Sequence, residues 1–168
     1  MKKHITIIAL ALITIAATFC GCKKDNDNNG QQGGGDDTPV ESTTYVVKYV
    51  ISDKATLYTM SPCFKANFTY INEKGETVEE SNITLPWETE IIVKAPFTAQ
   101  IAGTLTYKEE ELPETVYFGC CPSIMYKLTT SEAFSTSGFG VIAKTTKQKF
   151  IENIKPKDLR FSEEVVIE

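Results

Sequence analysis

Few residues of this chain could carry out acid–base or nucleophilic chemistry. The sequence contains one histidine, His4, close to its start. Ser-His-Asp triads and Cys-His pairs need an imidazole, which exchanges a proton near neutral pH. If His4 is removed with a targeting segment, the mature protein has no imidazole. The sequence therefore predicts that the protein is not an enzyme and has no catalytic residues.

Clusters of carboxylates offer a second route to catalysis, because glycosidases use a pair of acidic side chains. Such clusters occur at residues 79–80, on a predicted polar strand, and at residues 109–111, just before Pro113. Charge runs of this kind usually lie on a solvated surface. We therefore expect surface charge at both places rather than a catalytic pair.

The predicted domain, residues 44–168, contains three cysteines: Cys63, Cys120 and Cys121. The adjacent pair lacks the Cys-x-x-Cys spacing of structural zinc sites, so we expect no metal site and no cofactor. An exported domain lies where disulfides can form. Three cysteines allow at most one internal bridge, from Cys63 to Cys120 or to Cys121; three free thiols are the alternative.

Length and charge exclude several other classes of protein. The chain has 168 residues, which predicts one domain with an appendage. Its net charge is −5, from 17 Lys and Arg against 22 Asp and Glu. A nucleic-acid-binding protein needs a basic face to neutralise phosphates, so we expect no nucleic-acid partner.

The first residues have the features of an export signal. A short basic segment, residues 1–4, precedes residues 5–19, which carry no charge. Gly21-Cys22 then resembles the lipobox of bacterial lipoproteins, with Phe19 where that motif usually has Leu. The resemblance implies that residues 1–21 form a signal peptide and that Cys22 becomes the lipidated first residue.

Residues 22–43 are predicted to form a flexible tether. They are rich in Asp, Asn, Gly and Gln and have too little apolar surface to offset the entropy of ordering. Residues 23–27 resemble the charged tract that follows the lipidated cysteine in surface-exported lipoproteins of the Bacteroidetes. This resemblance implies an outer-membrane lipoprotein that faces either the cell surface or the periplasm.

Residues 44–168 show the period of two that is typical of half-buried strands. Two clear examples are the apolar rows of residues 45–51 and 97–107. Residues 116–128 are predicted as one strand with Cys120 and Cys121 on opposite faces, and residues 139–145 as another. Only residues 147–154 could be helical. We predict an all-β, antiparallel, immunoglobulin-like β-sandwich of about seven or eight strands.

Residues 64–103 resemble the core of the MmpS family of membrane-associated β-sandwich proteins. The resemblance rests on Leu85-Pro86-Trp87 between two strands and on Ala95-Pro96 after the second. It covers about a third of the domain. It implies a β-sandwich fold and a role as an accessory subunit of an envelope exporter.

Trp87, the only tryptophan, has two interpretations. It could fill the core where the chain passes from one sheet to the other, because Pro86 suits a strand end. Alternatively, it could be exposed as a ligand-stacking platform beside Tyr70 or Tyr107.

The sequence thus predicts a lipid-anchored, non-enzymatic β-sandwich, for which two functions remain open. In the first, the domain is a binding module for a glycan or an envelope protein. In the second, it is an MmpS-like accessory subunit of an envelope exporter.

Overall fold

A computed structural model of the protein describes residues 42–138 and 140–168. The predicted signal peptide, Cys22 and the tether up to residue 41 lie outside the described residues. The described part contains one α-helix, α1 (Lys147–Asn153), and two 3₁₀ turns (Glu109–Glu111 and Pro156–Leu159). It contains ten strands: β1 Thr44–Ser52, β2 Lys65–Ile71, β3 Thr77–Thr84, β4 Trp87–Lys94, β5 Phe97–Thr106, β6 Thr115–Phe118, β7 Cys121–Leu128, β8 Ser135–Ser137, β9 Ala143–Thr146 and β10 Arg160–Ile167.

The strands form two four-stranded antiparallel sheets and a small ribbon. Sheet I has the order β4-β1-β7-β8, and sheet II has the order β10-β5-β2-β3. Strands β6 and β9 pair with each other as a two-stranded ribbon. The predicted all-β antiparallel sandwich is therefore confirmed, with eight strands in its two main sheets.

The alternation of the sequence determines which side chains meet between the sheets. In β1, Val47, Tyr49 and Ile51 are fully buried, while the residues between them are partly exposed. In β5, Ala99 and Ile101 form the matching buried row. Because side chains alternate between faces, these rows pack against each other and the intervening polar residues face solvent.

The chain crosses between the sheets twice at proline. Leu85-Pro86 joins β3 of sheet II to β4 of sheet I, and Ala95-Pro96 joins β4 back to β5 of sheet II. Both peptide bonds are cis. Proline has no N–H to donate to a ladder, so it fits at these strand ends.

One predicted strand is wrong in its bounds. Residues 116–128 form two strands, β6 and β7, which belong to different sheets. The break falls at Gly119, whose φ of 137° is a conformation that side chains disfavour. Consequently, Cys120 lies between the two strands, and the prediction that Cys120 and Cys121 lie on opposite faces of one strand is wrong.

Two further predictions concern residues 147–154, as a helix, and residues 139–145, as a strand. The structure has α1 where the sequence allowed a helix, and the Thr146 side chain accepts a hydrogen bond from the Lys149 N–H at its start. The strand predicted at residues 139–145 is shorter and later, as β9. Among the described residues, no helix has both the length and the apolar character needed to cross a bilayer.

The sandwich has two distinct ends. At one, the Thr44 end, Thr44 O accepts a hydrogen bond from Thr129 N, and the Tyr45 hydroxyl donates to Glu168 O. Strand β1 runs from there to Ser52 over about 26 Å, at about 3.3 Å per residue. At the opposite end, which we call the far end, lie the β1–β2 loop, the β6–β9 ribbon and α1. The far end has its own core around Phe150, whose ring centroid is 5.8 Å from that of Phe64 and 5.0 Å from that of Phe118.

Candidate functional site

The structure places Trp87 at the crossover from sheet II to sheet I. Its ring is partly buried, 4.6 Å from Phe68 and 5.4 Å from Tyr70 between centroids. Tyr107 packs elsewhere, against Phe64 and Phe150. The structure therefore brings Trp87 and Tyr70 together, leaves Tyr107 apart, and puts Trp87 where a core-filling residue is needed. Its role as a stacking platform remains a prediction.

The three described cysteines, Cys63, Cys120 and Cys121, are free thiols in the structure. Burial raises the pKa of Cys120 to about 12, and it also raises the pKa of Cys63 and of Cys121. A thiol with a raised pKa carries little thiolate near neutral pH and is a weak nucleophile. The structure therefore gives no reactive thiolate at these positions, and the disulfide from Cys63 remains a prediction.

The carboxylate clusters lie on exposed elements. Glu109, Glu110 and Glu111 make up an exposed 3₁₀ turn, in which Glu111 pairs with Lys108 at 3.0 Å. Glu79 and Glu80 lie on β3, an edge strand of sheet II. Within residues 42–138 and 140–168, no group of three acidic, Cys or His residues has the arrangement of a metal site.

A small hairpin at the far end carries the most exposed apolar side chain of the described residues. Residues 53–60 fold back on themselves through a Lys54–Thr59 bridge and a bond from Met60 N to Asp53 O (2.7 Å). At its turn, Ala55 N donates to Tyr58 O at 3.0 Å. Leu57, within this turn, is 80% exposed, and Tyr58 is 38% exposed.

Ser61 fixes this hairpin to the β6–β9 ribbon. Its N–H donates to Tyr117 O at 2.8 Å, and its Oγ accepts from Tyr117 N at 2.9 Å. The rings of Tyr58 and Tyr117 contact each other, with centroids 5.2 Å apart. The Lys144 Nζ lies 5.7 Å from the Tyr117 ring centroid, a cation–π geometry. We call Leu57, Tyr58, Tyr117 and Lys144 the tip.

A contiguous exposed apolar patch often marks an interaction site, whereas an exposed apolar residue that stands alone needs no explanation. The tip combines such a residue with two tyrosines, and tyrosine is enriched where proteins bind one another. Sequence reasoning missed the tip, because it assigned no element and no role to residues 53–62. The available signal was Leu57-Tyr58 between polar, turn-forming residues.

The fold and the tip define a β-sandwich with an ordered apolar loop at one end. No protein-family model matches the sequence, and no curated protein matches it at a significant level. The resemblance to the MmpS family therefore remains a prediction.

Proposed function

We propose that this protein is a lipid-anchored, non-enzymatic binding module of the bacterial envelope, which engages an envelope protein through the tip. Acyl chains on Cys22 hold it to the outer membrane. Each buried methylene of such a chain contributes about 0.8 kcal/mol to membrane binding, and more than one chain gives a stable anchor.

The position of the tip relative to Thr44 is the observation that carries this proposal. Residues 22–43 join the domain at the Thr44 end. The tip lies at the far end, beyond the roughly 26 Å length of β1. The attachment point and the tip therefore lie at opposite ends of the domain, so the tether does not cover the tip.

The charges around the tip favour a partner with an acidic rim. Lys54 is exposed in the same hairpin as Leu57 and Tyr58, whose base carries Asp53, and Lys144 is exposed next to Tyr117. Residues 44–168 as a whole are acidic, with 13 Lys and Arg against 17 Asp and Glu. Opposite charges around an apolar contact increase the rate and specificity of association. The partner thus presents an apolar pocket with carboxylates at its edge.

Affinity capture from detergent-solubilised membranes tests the proposal. Leu57→Ser removes the most exposed apolar side chain of the tip, and we expect it to reduce the recovery of the specific partner at least tenfold. Ile92→Ser is the matched control, because Ile92 is 63% exposed but lies on β4. Equal recovery by the two variants would contradict the proposal.

A further inference from the structure

The outer face of sheet II contains a polar groove that is separate from the tip. Its volume is ≈400 Å³ and it is open to solvent. Two rows of side chains cross it, following the register of the four strands. The first row is Asn67, Thr104 and Arg160, and the second is Glu79, Thr69, Ala102 and Ser162.

An irregularity in β3 shapes one wall of the groove. The ladder between β2 and β3 shifts register at Asn67, and Asn82 opposite it has a φ of 58°. The Asn82 N–H donates to the Asn67 Oδ1 at 2.6 Å. Because this bond holds the amide oxygen of Asn67, its NH₂ group is the part left to donate to a ligand. Bulges of this kind are common beside functional sites.

The floor of the groove is low because Ala102 has only a methyl group there. Beside it, the Thr69 hydroxyl donates to Ala102 O at 3.4 Å. The single proton of the Thr104 hydroxyl has two acceptors within reach, Leu105 O at 3.3 Å and Leu159 O at 3.5 Å. Their protons face protein acceptors, so their oxygen lone pairs are left to accept bonds from a ligand. Phe68 contributes to the lining, but its side chain is 4% exposed and belongs to the core.

The two walls carry opposite charges. Glu80 also lines the β3 side of the groove. Arg160 lies on β10 and Glu79 on β3; the two strands are about 14 Å apart if each of the three strand spacings is about 4.8 Å, and Glu79 is level with Ser162, two residues along the strand from Arg160. Within the described ranges, neither Arg160 nor Glu79 forms an ion pair. An exposed guanidinium presents a planar set of donors that matches a carboxylate in a two-bond geometry.

We propose that the groove binds an acidic oligosaccharide, with a uronate carboxylate on Arg160. The hydroxyl groups of the sugar bond to Asn67, Thr104 and Glu79. A peptide fits less well, because protein interfaces have an apolar centre, and apart from Ala102 the side chains of the two rows that face this groove are polar. The span between the walls favours a chain of several sugar units over a single one.

Titration calorimetry on the full-length protein tests this assignment, with oligogalacturonate as the probe. We expect binding that weakens as salt is added, because an exposed ion pair is screened. Arg160→Gln should weaken binding at least about tenfold, the effect of losing a hydrogen bond to a charged group. Lys94→Gln is the control: it removes one exposed positive charge from sheet I, and it should leave binding unchanged.

A second pair of variants tests the shape of the groove. Ala102→Leu fills the floor and should abolish binding, whereas Thr98→Leu, on the same strand and face but outside the groove, should not. The proposal is overturned if oligogalacturonate does not bind, if Arg160→Gln binds as tightly as Lys94→Gln, or if a neutral or sulfated oligosaccharide of equal length binds as well. Leu57→Ser should have no effect, so the groove and the tip succeed or fail separately.

Discussion

At the scale of single residues, Ser61 holds the candidate site together. Within residues 42–138 and 140–168, it is the only buried residue outside the apolar, aromatic and cysteine residues of the core, and it is 5% exposed. Its N–H and its Oγ both bond to Tyr117, so one serine joins the β1–β2 loop to the ribbon. The sequence could not predict this, because the two residues are 56 positions apart and serine is common in loops.

Replacing Ser61 tests this role. Ser61→Ala leaves the Tyr117 N–H without its acceptor, and a buried unsatisfied donor costs about 1–3 kcal/mol. We expect the free energy of unfolding, measured by urea denaturation, to fall by this amount. Ser162→Ala, at an exposed position, should change it by less than about 0.5 kcal/mol. Similar losses in both variants would show that Ser61 has no special role.

The buried thiol of Cys120 makes the free energy of unfolding depend on pH. Its pKa in the folded protein is raised by burial to about 12, above the ordinary value of 9.0. The neutral thiol therefore stabilises the fold below pH 9, and this contribution is lost as the pH rises from 9 toward 12. Under reducing conditions, the stability of the natural protein relative to Cys120→Ala should fall by on the order of 1 kcal/mol between pH 8 and pH 10.

Comparing the two proteins at each pH removes the contribution of other groups, such as Tyr49, whose pKa is also raised by burial. A stability difference that stays constant over this range would mean that Cys120 is not desolvated as the structure indicates.

At the scale of elements, strands with regular alternation could be predicted from the sequence, and irregular ones could not. The buried rows of β1 and β5 follow the period of two without interruption, so their faces were clear. Residues 116–128 look continuous, but a backbone conformation at Gly119 divides them. The pairing of β6 with β9 is a long-range contact, and local patterns do not specify it.

Strands β2 and β5 approach each other closely at Gly103. A Cβ at this position would meet the carbonyl oxygen of Asn67 and lie 2.8 Å from the Cα of Phe68. Both contacts involve β2 backbone, which cannot move without separating β2 from β5. Gly103→Ala should therefore destabilise the protein by about 1–3 kcal/mol, as overpacking does.

Thr98→Ala, at an exposed position on the same strand, is the control for that measurement. If the melting temperatures of the two variants agree, the close approach of β2 and β5 is incorrect.

At the scale of the whole molecule, the proposed function requires membrane attachment at the Thr44 end of the domain and partner recognition at the far end. The alternation of apolar and polar residues was enough to predict the all-β class, whereas the tether and the membrane address stay predictions. Neither the tip nor the groove could be predicted, because each joins residues from strands or loops that are distant in sequence. The groove, for example, needs the register of β3, β2, β5 and β10.

Membrane attachment is testable by one substitution. Cys22→Ser removes the thiol that would carry the acyl chains, so we expect it to abolish the incorporation of a labelled fatty acid into the protein. Cys20→Ser, two residues earlier, should leave this incorporation unchanged. Labelling that persists after Cys22→Ser would refute lipidation at this residue.

Site-specific photo-crosslinking in intact cells tests whether the far end of the domain is the surface that binds a partner. A photoreactive residue is placed at Leu57 in the tip or, as the matched position, at Lys74, in an exposed turn near the Thr44 end. We expect a discrete crosslinked protein when the photoreactive residue is at position 57 and none when it is at position 74. Crosslinking from position 74 alone, or equally from both, would contradict recognition through the far end.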